Sequence, residues 1–194
     1  MYGCLFLACV VVGRWEFSLA GVGLACKNIR RGFFYSCVIL LTSFAFIFIV
    51  QPPEGWTDIG FAILSPVLFY LVVALAEETW FRGLIFKALY EWRCALLGVF
   101  GSAFLFGLIH IPTHGWEGLL YSLSIGLPYA VARLKTDNLW GLIIAHWLTN
   151  LTDSFIRLST TSLNVVWLTI LHIVVFSGVS ILILLLDRRL HRKE

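Results

Sequence analysis

Charged side chains are scarce in this sequence of 194 residues. Only 13% of the residues are Asp, Glu, Lys or Arg, whereas 60% are hydrophobic, and the mean hydropathy is +0.91. A soluble domain has about 25% charged residues, so this chain lacks the polar surface that would keep it in water. The shortage excludes a soluble globular protein and predicts a polytopic membrane protein. Its length allows a single integral-membrane domain, 1–194, without an added soluble module.

Paired cysteines are absent as well. The five cysteines form no Cys-x-x-Cys pair and are odd in number, which predicts neither a disulfide framework nor a cysteine metal site. The net charge of +3 lies in short loops and the C-terminal tail. This pattern reports membrane topology rather than affinity for nucleic acid, so no nucleic-acid partner is expected.

The apolar residues predict an all-α fold, a polytopic transmembrane helical bundle. Six spans are predicted, at 33–50, 58–90, 95–110, 116–132, 139–153 and 163–186. Residues 1–57 are expected to form N-terminal hydrophobic helices. Within them, 1–26 hold two apolar pieces that are each too short for the roughly 20 residues of a span. They form either one strained span or a helix lying in the membrane interface.

Lysine and arginine cluster in alternate loops of this bundle. The basic loops lie at 27–31, 87–93, 133–135 and 188–193. The positive-inside rule then places these loops and the C-terminus in the cytoplasm. The small size and compact loops favour the inner membrane of a bacterium.

A run of charge, Glu77-Glu78-Thr79-Trp80-Phe81-Arg82, interrupts the longest apolar segment. Charged groups at membrane depth are costly and usually mark function. Glu78 and Arg82 are four residues apart with the acid first, which favours an ion pair on one helix face. Glu77 points about 100° away, so it is free to face a cavity. The alternative is a purely structural ion pair.

Two further motifs, Phe106 to His110 and His146 to Asn150, carry polar groups into later spans. Glu77 lies sixteen residues before Arg93 and His110 seventeen after it. Both are therefore on the order of 25 Å along antiparallel helices, and they can meet. His146 lies only eight residues past Asn138, so it is closer to its cytoplasmic turn than Glu77 and His110 are to theirs. His146 can reach them only if the turn at 133–138 dips into the membrane or if the helices start at different levels. Pro112 is predicted to end the helix that carries His110.

A carboxylate, two imidazoles and a carboxamide around one wet cavity suit hydrolysis. Glu77 could act as general base on a water molecule, and His110, His146 and Asn150 could polarise the scissile carbonyl. No cofactor is required for that chemistry. Alternatively Glu77, His110 and His146 could bind Zn²⁺, which would activate the water. A proton or ion relay and simple interhelical hydrogen bonding remain open. His114 is interpreted as a loop histidine and His172 as a locally bonded one.

The three motifs resemble the signature of the CPBP family of intramembrane proteases, which includes CAAX prenyl endopeptidases and bacteriocin-processing or self-immunity proteins. The family pattern is EExxxR, then FxxxH, then HxxxN or HxxxD, and the match covers 58–153. The resemblance implies a catalytic core there, with hydrolysis of a peptide bond near the C-terminus or in a membrane segment of a protein or peptide substrate. It implies Glu77, Glu78, Arg82, His110, His146 and Asn150 as catalytic residues. Family members act with or without metal, and a non-catalytic member that sequesters a peptide is the further alternative.

Overall fold

The computed structural model describes residues 2–57, 63–159 and 164–191, and most of these residues are helical. The helices are α1 (Tyr2–Glu16), α2 (Ser18–Gly21), α3 (Ile29–Val50), α4 (Leu64–Glu78), α5 (Phe86–Trp92), α6 (Ala95–Leu108), α7 (Ile111–Thr136), α8 (Trp140–Phe155) and α9 (Val165–His191). A π-helical segment, Thr79–Ile85, joins α4 to α5. The all-α bundle predicted from the sequence is therefore the observed architecture.

A helix lies at each of the six predicted spans. Three of them are long and apolar enough to cross a membrane, Ile29–Val50, Leu64–Trp92 and Val165–Leu190. α6 and α8 have 14 and 16 residues, fewer than the roughly 20 that an upright span needs. The first residues of the spans predicted at 58–90 and 163–186 lie outside the described residues. The chain is a membrane protein, and the count of six crossings stays a prediction.

α8 packs directly against both α3 and α4, while α7 packs against α6 and α9. Leu142 and Ile143 of α8 are buried in one core cluster with Ile39 of α3. Burial of one such side chain stabilises the fold by about 1.5–3 kcal/mol. Gly141 allows the close contact, because a β-carbon there would lie 2.7 Å from the carbonyl oxygen of Gly32. The two helices that carry the glutamates and His146 are thus neighbours.

The prediction that Pro112 ends the helix carrying His110 is wrong. α6 already ends at Leu108, and His110 is the residue that precedes α7. Pro112 lies in the first turn of α7, where its missing amide hydrogen would have had no helical partner in any case. α7 is interrupted at Gly115, whose φ of 64° and ψ of −162° suit glycine.

The turn between α7 and α8 lies inside the protein. Asn138 is 1% exposed because residues 21–28 fold over it. Its side-chain amide donates to the carbonyl of Ala25 at 2.9 Å and to that of Lys27 at 3.0 Å. The N-terminal part of the chain therefore covers the start of α8, and the depth of His146 in the membrane stays a prediction.

Arg133 was expected in a basic loop, and that prediction is wrong. The residue lies in the last turn of α7 and is completely buried. Its guanidinium donates to the carbonyls of Gly21 at 2.6 Å and Arg82 at 3.0 Å, and to the carboxylate of Asp137 at 2.7 Å. Buried charge is tolerated when such partners are present. Arg133 therefore joins the segment before α3 to the helix that carries the glutamates.

Two short strands were not predicted from the sequence. β1 (Pro53–Trp56) and β2 (Ile156–Leu158) form an antiparallel pair, with Gly55 opposite Arg157. β2 follows α8 without a break. The predicted loops around 52–54 and 153–162 are thus tied together by backbone hydrogen bonds, and residues 160–163 lie outside the described ranges.

Candidate active site

The ion pair predicted from the Glu78 and Arg82 spacing is present. Arg82 Nη1 donates to Glu78 Oε1 at 3.0 Å, and the two side chains are 1% and 0% exposed. Breaking a buried pair of this kind leaves an uncompensated charge and costs about 3–5 kcal/mol. The pair is therefore a rigid part of the site.

Aromatic rings surround the buried guanidinium. Arg82 Cζ lies 4.0 Å from the ring centroid of Phe106 and 5.3 Å from that of Tyr129. A desolvated contact of this type contributes about 2 kcal/mol. Phe106 was singled out in the sequence as the first residue of the second motif. Its contact with Arg82 was not predicted. Tyr129 was not predicted from the sequence, since its one local signal is an aromatic residue among the small side chains of α7.

His146 lies between the two glutamates. Its Nδ1 is 2.8 Å from Glu78 Oε1, and its Nε2 is 3.7 Å from Glu77 Oε2. Because Glu78 accepts from Arg82 as well, one carboxylate oxygen orients both side chains. The Nδ1–H of His146 donates to Glu78, which leaves Nε2 directed at Glu77.

Two cavities meet at the second and third motifs. The smaller, about 160 Å³, is lined by Glu78, Arg82, Tyr129 and other residues. The larger, about 550 Å³, is lined by Glu77 together with side chains of α1, α4 and α7. Three residues line both cavities, His110, His146 and Asn150. The structure therefore brings all six predicted site residues to one place, although the two glutamates face different cavities.

His110 is half-buried, and its ring is anchored on one side. Nδ1 is 2.8 Å from the carbonyl oxygen of Phe106, so Nδ1–H donates and Nε2 stays available to the cavity. The ring of His114 lies 6.3 Å from that of His110, with 19° between their planes. His114 itself is exposed and lines the larger cavity. It lies in α7 rather than in the loop expected from the sequence.

The π-helical segment begins immediately after Glu78. Short π-helical insertions are rare and often occur at functional sites. The wider turn changes the hydrogen-bond pattern of the backbone, and the carbonyl of Arg82 accepts the 3.0 Å hydrogen bond from Arg133. A distant arginine thus holds the backbone that carries the ion pair. No local pattern in the sequence reports this contact, because the two residues are 51 positions apart.

Both site histidines have a contact that metal-binding histidines usually show, since one ring nitrogen is paired with a carboxylate or a carbonyl. Within the described parts of the chain, however, no group of three or more His, Cys, Asp or Glu side chains is arranged to bind a metal ion. The binding of Zn²⁺ by Glu77, His110 and His146 stays a prediction.

One of three comparisons with known proteins found a match. The model of the family "Type II CAAX prenyl endopeptidase Rce1-like" matches residues 59–152. This range contains all three motifs and ends three residues before α8 does. Neither a curated protein nor a solved structure matches the chain. The family model covers just under half of the chain, and together with the three motifs it supports membership of the CPBP family, which includes the CAAX prenyl endopeptidases.

Proposed function

We propose that this protein is an intramembrane endopeptidase that hydrolyses a peptide bond near the C-terminus, or in a membrane segment, of a protein or peptide. The observation that carries the proposal is the position of Glu77. Its carboxylate is 6% exposed, lines the larger cavity and faces the Nε2 of His146 at 3.7 Å. A carboxylate and an imidazole at one cavity wall are a suitable pair for moving a proton.

In the proposed reaction, a water molecule attacks the scissile carbonyl while Glu77 takes its proton. The carbonyl oxygen becomes an oxyanion, and the amide group of Asn150 is the neutral donor that can stabilise it. When the carbon–nitrogen bond breaks, the proton on Glu77 passes to the leaving amine. Glu77 is then ready for another cycle.

The histidines have a narrower role than the residue types suggest. Because His146 and His110 each donate through Nδ1, a neutral ring presents an Nε2 lone pair and no hydrogen to the oxyanion. Either ring stabilises negative charge only as an imidazolium. Glu78, held by Arg82, stabilises that charge on His146, so His146 is the stronger candidate for a proton carrier.

The decisive experiment compares membrane proteins from four strains by mass spectrometry. The strains lack the gene or express the wild type, Glu77→Gln or Glu117→Gln, the last being an exposed glutamate in α7. We expect uncut substrate in the deletion and Glu77→Gln strains only. Processing that persists with Glu77→Gln would exclude catalysis by this site. Substrate bound but never cut by the wild type would support the peptide-sequestering alternative.

The zinc alternative has a separate test. Zinc analysis of purified, active protein should give a substoichiometric amount if Glu77 activates the water without metal. Stoichiometric zinc that is lost in both His110→Ala and His146→Ala would replace the glutamate mechanism by the metal mechanism. His191, in the basic tail, provides the matched control substitution.

The proposal includes a location and an orientation. We place the protein in the inner membrane of a bacterium with its C-terminus in the cytoplasm, since the basic residues at 27–31, 87–93 and 188–193 support that topology. The lipid bilayer and a protein or peptide substrate are the proposed partners, and no nucleic acid is expected. The mass of the uncut substrate in the deletion strain would show whether that substrate is prenylated.

A further inference from the structure

A groove on the outside of the bundle, which we call the outer groove, lies between α6, α7 and α9. Its volume is about 370 Å³, and it shares no lining residue with the two cavities of the candidate active site. Leu96, Phe100 and Ile181 on its rim are 68%, 57% and 58% exposed. The outer groove is therefore separate from the proposed catalytic groups and opens to the surroundings of the helices.

The walls of the outer groove are mainly apolar. Val99 and Val131, which are each 6% exposed, line it from within the bundle. Ser180, one of the two serines in the lining, is bonded within its own helix, since its Oγ donates to the carbonyl of Phe176 at 3.0 Å. An apolar cavity of about 150 Å³ is large enough for benzene. The outer groove therefore has room for part of an acyl chain.

The outer groove ends where the C-terminal ends of α7 and α9 meet. Leu134 and Leu184 are the last residues of these two helices in its lining. Next to them, Lys135 Nζ lies 3.3 Å from Asp187 Oδ2, and Asp187 also pairs with Arg31. The single negative charge of this cluster is thus outweighed by two positive charges, so an acidic group does not cancel the basic character of this end.

Two further arginines lie at the same end of the outer groove. Arg188 follows Leu184 by four residues and so shares its helix face, and Arg93 comes two residues before Ala95 of the lining. Both arginines are exposed, and within the described residues neither forms an ion pair. Glu91, close to Arg93 in sequence, already pairs with a lysine at 2.8 Å. An apolar groove that ends at uncompensated positive charge is complementary to an anionic lipid.

We propose that the outer groove binds an anionic phospholipid of the bilayer, whose acyl chain lies in the groove and whose phosphate lies beside Arg93 and Arg188. Basic pockets between membrane helices bind anionic headgroups in this way. A zwitterionic lipid supplies the same acyl chain but no net charge, so the two arginines favour the anionic lipid. The site does not depend on the protease function proposed above, because it shares no residue with the candidate active site.

The test measures lipid binding to the purified full chain by native mass spectrometry in detergent. The probes are phosphatidylglycerol, which is anionic, and phosphatidylcholine with the same acyl chains. One variant combines Arg93→Gln with Arg188→Gln. Its matched control combines Arg30→Gln with Arg189→Gln, because these two arginines are also exposed and their loss changes the net charge equally.

A second pair of variants tests the groove itself. Ser177→Trp fills the outer groove from α9. Leu182→Trp is the control, since Leu182 is 44% exposed on the same helix and does not line the groove. The two pairs separate the contribution of the headgroup from that of the acyl chain.

We expect the wild type and both controls to bind phosphatidylglycerol at least about tenfold more tightly than phosphatidylcholine, since each arginine beside an anionic headgroup strengthens binding about fivefold. The double arginine variant should lose this preference and still bind phosphatidylcholine. Ser177→Trp should weaken the binding of both lipids at least about tenfold, because the loss of about two buried methylene groups has that effect. If Ser177→Trp does not fold, Ile181→Trp fills the groove from its exposed rim and must produce the same loss.

Three outcomes would overturn the proposal. Equal affinity of the wild type for the two lipids, or an equal loss in the arginine control, would show that Arg93 and Arg188 do not bind the headgroup. Unchanged binding of phosphatidylglycerol in Ser177→Trp would place the lipid elsewhere on the protein. A dimer of the wild type that binds no lipid and separates in Ser177→Trp would show that a second copy of this chain occupies the groove.

Discussion

Glu78 is completely buried, yet it bonds to two partners through the same oxygen, Arg82 at 3.0 Å and His146 at 2.8 Å. Its charge is therefore balanced inside the protein rather than by solvent. Glu77 is its neighbour in sequence but lines a separate cavity and faces the opposite nitrogen of His146. At the scale of single residues, one glutamate holds Arg82 and His146, and the other faces the cavity in which the proposed reaction would take place.

The first prediction removes the charge of Glu78. Glu78→Gln leaves Arg82 buried without its counter-ion, so we expect the free energy of unfolding to fall by about 3–5 kcal/mol. Cleavage should fall as well because His146 loses its orientation. Thermal unfolding in detergent and the cleavage assay measure the two effects. Glu91→Gln is the control: Glu91 pairs with Lys87 at the same spacing but is 49% exposed, and we expect a change below about 1 kcal/mol.

The second prediction concerns the ring beneath Arg82. Phe106→Leu removes the 4.0 Å contact between ring and guanidinium but keeps an apolar side chain, so a loss of about 2 kcal/mol is expected. Chemical denaturation followed by tryptophan fluorescence measures it. Phe104→Leu, a 46% exposed position on the same helix, should change stability by no more than about 0.5 kcal/mol. Equal losses in the two variants would contradict the role of the ring.

The helix that carries the glutamates depends on its neighbours for its shape. The π-helical segment Thr79–Ile85 directs the carbonyl of Arg82 towards Arg133 of α7. On the other side, α6 and α7 touch closely at Gly107, where a β-carbon would lie 2.7 Å from the carbonyl oxygen of Leu119. At the scale of elements, the site is held by backbone contacts between helices.

The third prediction removes the guanidinium of Arg133. Arg133→Met keeps a long side chain but leaves the carbonyls of Arg82 and Gly21 without their donor. Each unsatisfied buried group costs about 1–3 kcal/mol, so a loss of several kcal/mol is expected in thermal unfolding. Arg93→Met, at an exposed arginine, is the control. A loss no larger than that of the control would show that the π-helical segment does not need Arg133.

The fourth prediction compares two helical glycines. Alanine is favoured over glycine in a helix by about 1 kcal/mol, so Gly178→Ala should be neutral or stabilising because nothing lies within 4 Å of its added β-carbon. Gly107→Ala should instead destabilise the protein by about 1–3 kcal/mol, since α6 and α7 must separate. Melting temperatures in detergent distinguish the two. Equal effects would mean that the contact at Gly107 is not tight.

The whole bundle is closed at one end by residues 21–28, which cover the turn between α7 and α8. Asn138 is the centre of that closure, since its side chain donates to Ala25 and Lys27 and accepts from the amide of Trp140 at 3.0 Å. The sequence predicted either a span or an interfacial helix for the N-terminal segment. In the structure, the end of this segment packs against the rest of the fold. Its contacts hold the start of α8, the helix that carries the third motif.

The fifth prediction opens this closure. Asn138→Ala loses three hydrogen bonds, two of them to the carbonyls of Ala25 and Lys27, so the segment 21–28 should detach before the rest of the bundle unfolds. Limited proteolysis should then cut near Lys27 faster than in the wild type. Asn164→Ala is the control, because it loses only one exposed hydrogen bond, to the amide of Val166. This variant should be cut near Lys27 as slowly as the wild type. Equal cutting rates would exclude the closure.

The sequence alone determined the class of the protein, the approximate positions of the helices from residue 33 onwards and the pairing of Glu78 with Arg82. These features depend on local composition and on spacing within one helix, where residues four apart share a face. The three motifs stood out because each carries polar groups into apolar segments that rarely accept them, and their resemblance to the CPBP signature is supported by the family match over residues 59–152.

Tertiary structure alone decided which carboxylate faces which cavity, the burial of Arg133, the π-helical segment and the strand pair. Each arises from contacts between distant parts of the chain. Asn138 and Ala25 are 113 positions apart, and His146 and Glu78 are 68 apart. No periodic pattern encodes such a contact, since it forms only when packing brings complementary donors and acceptors together.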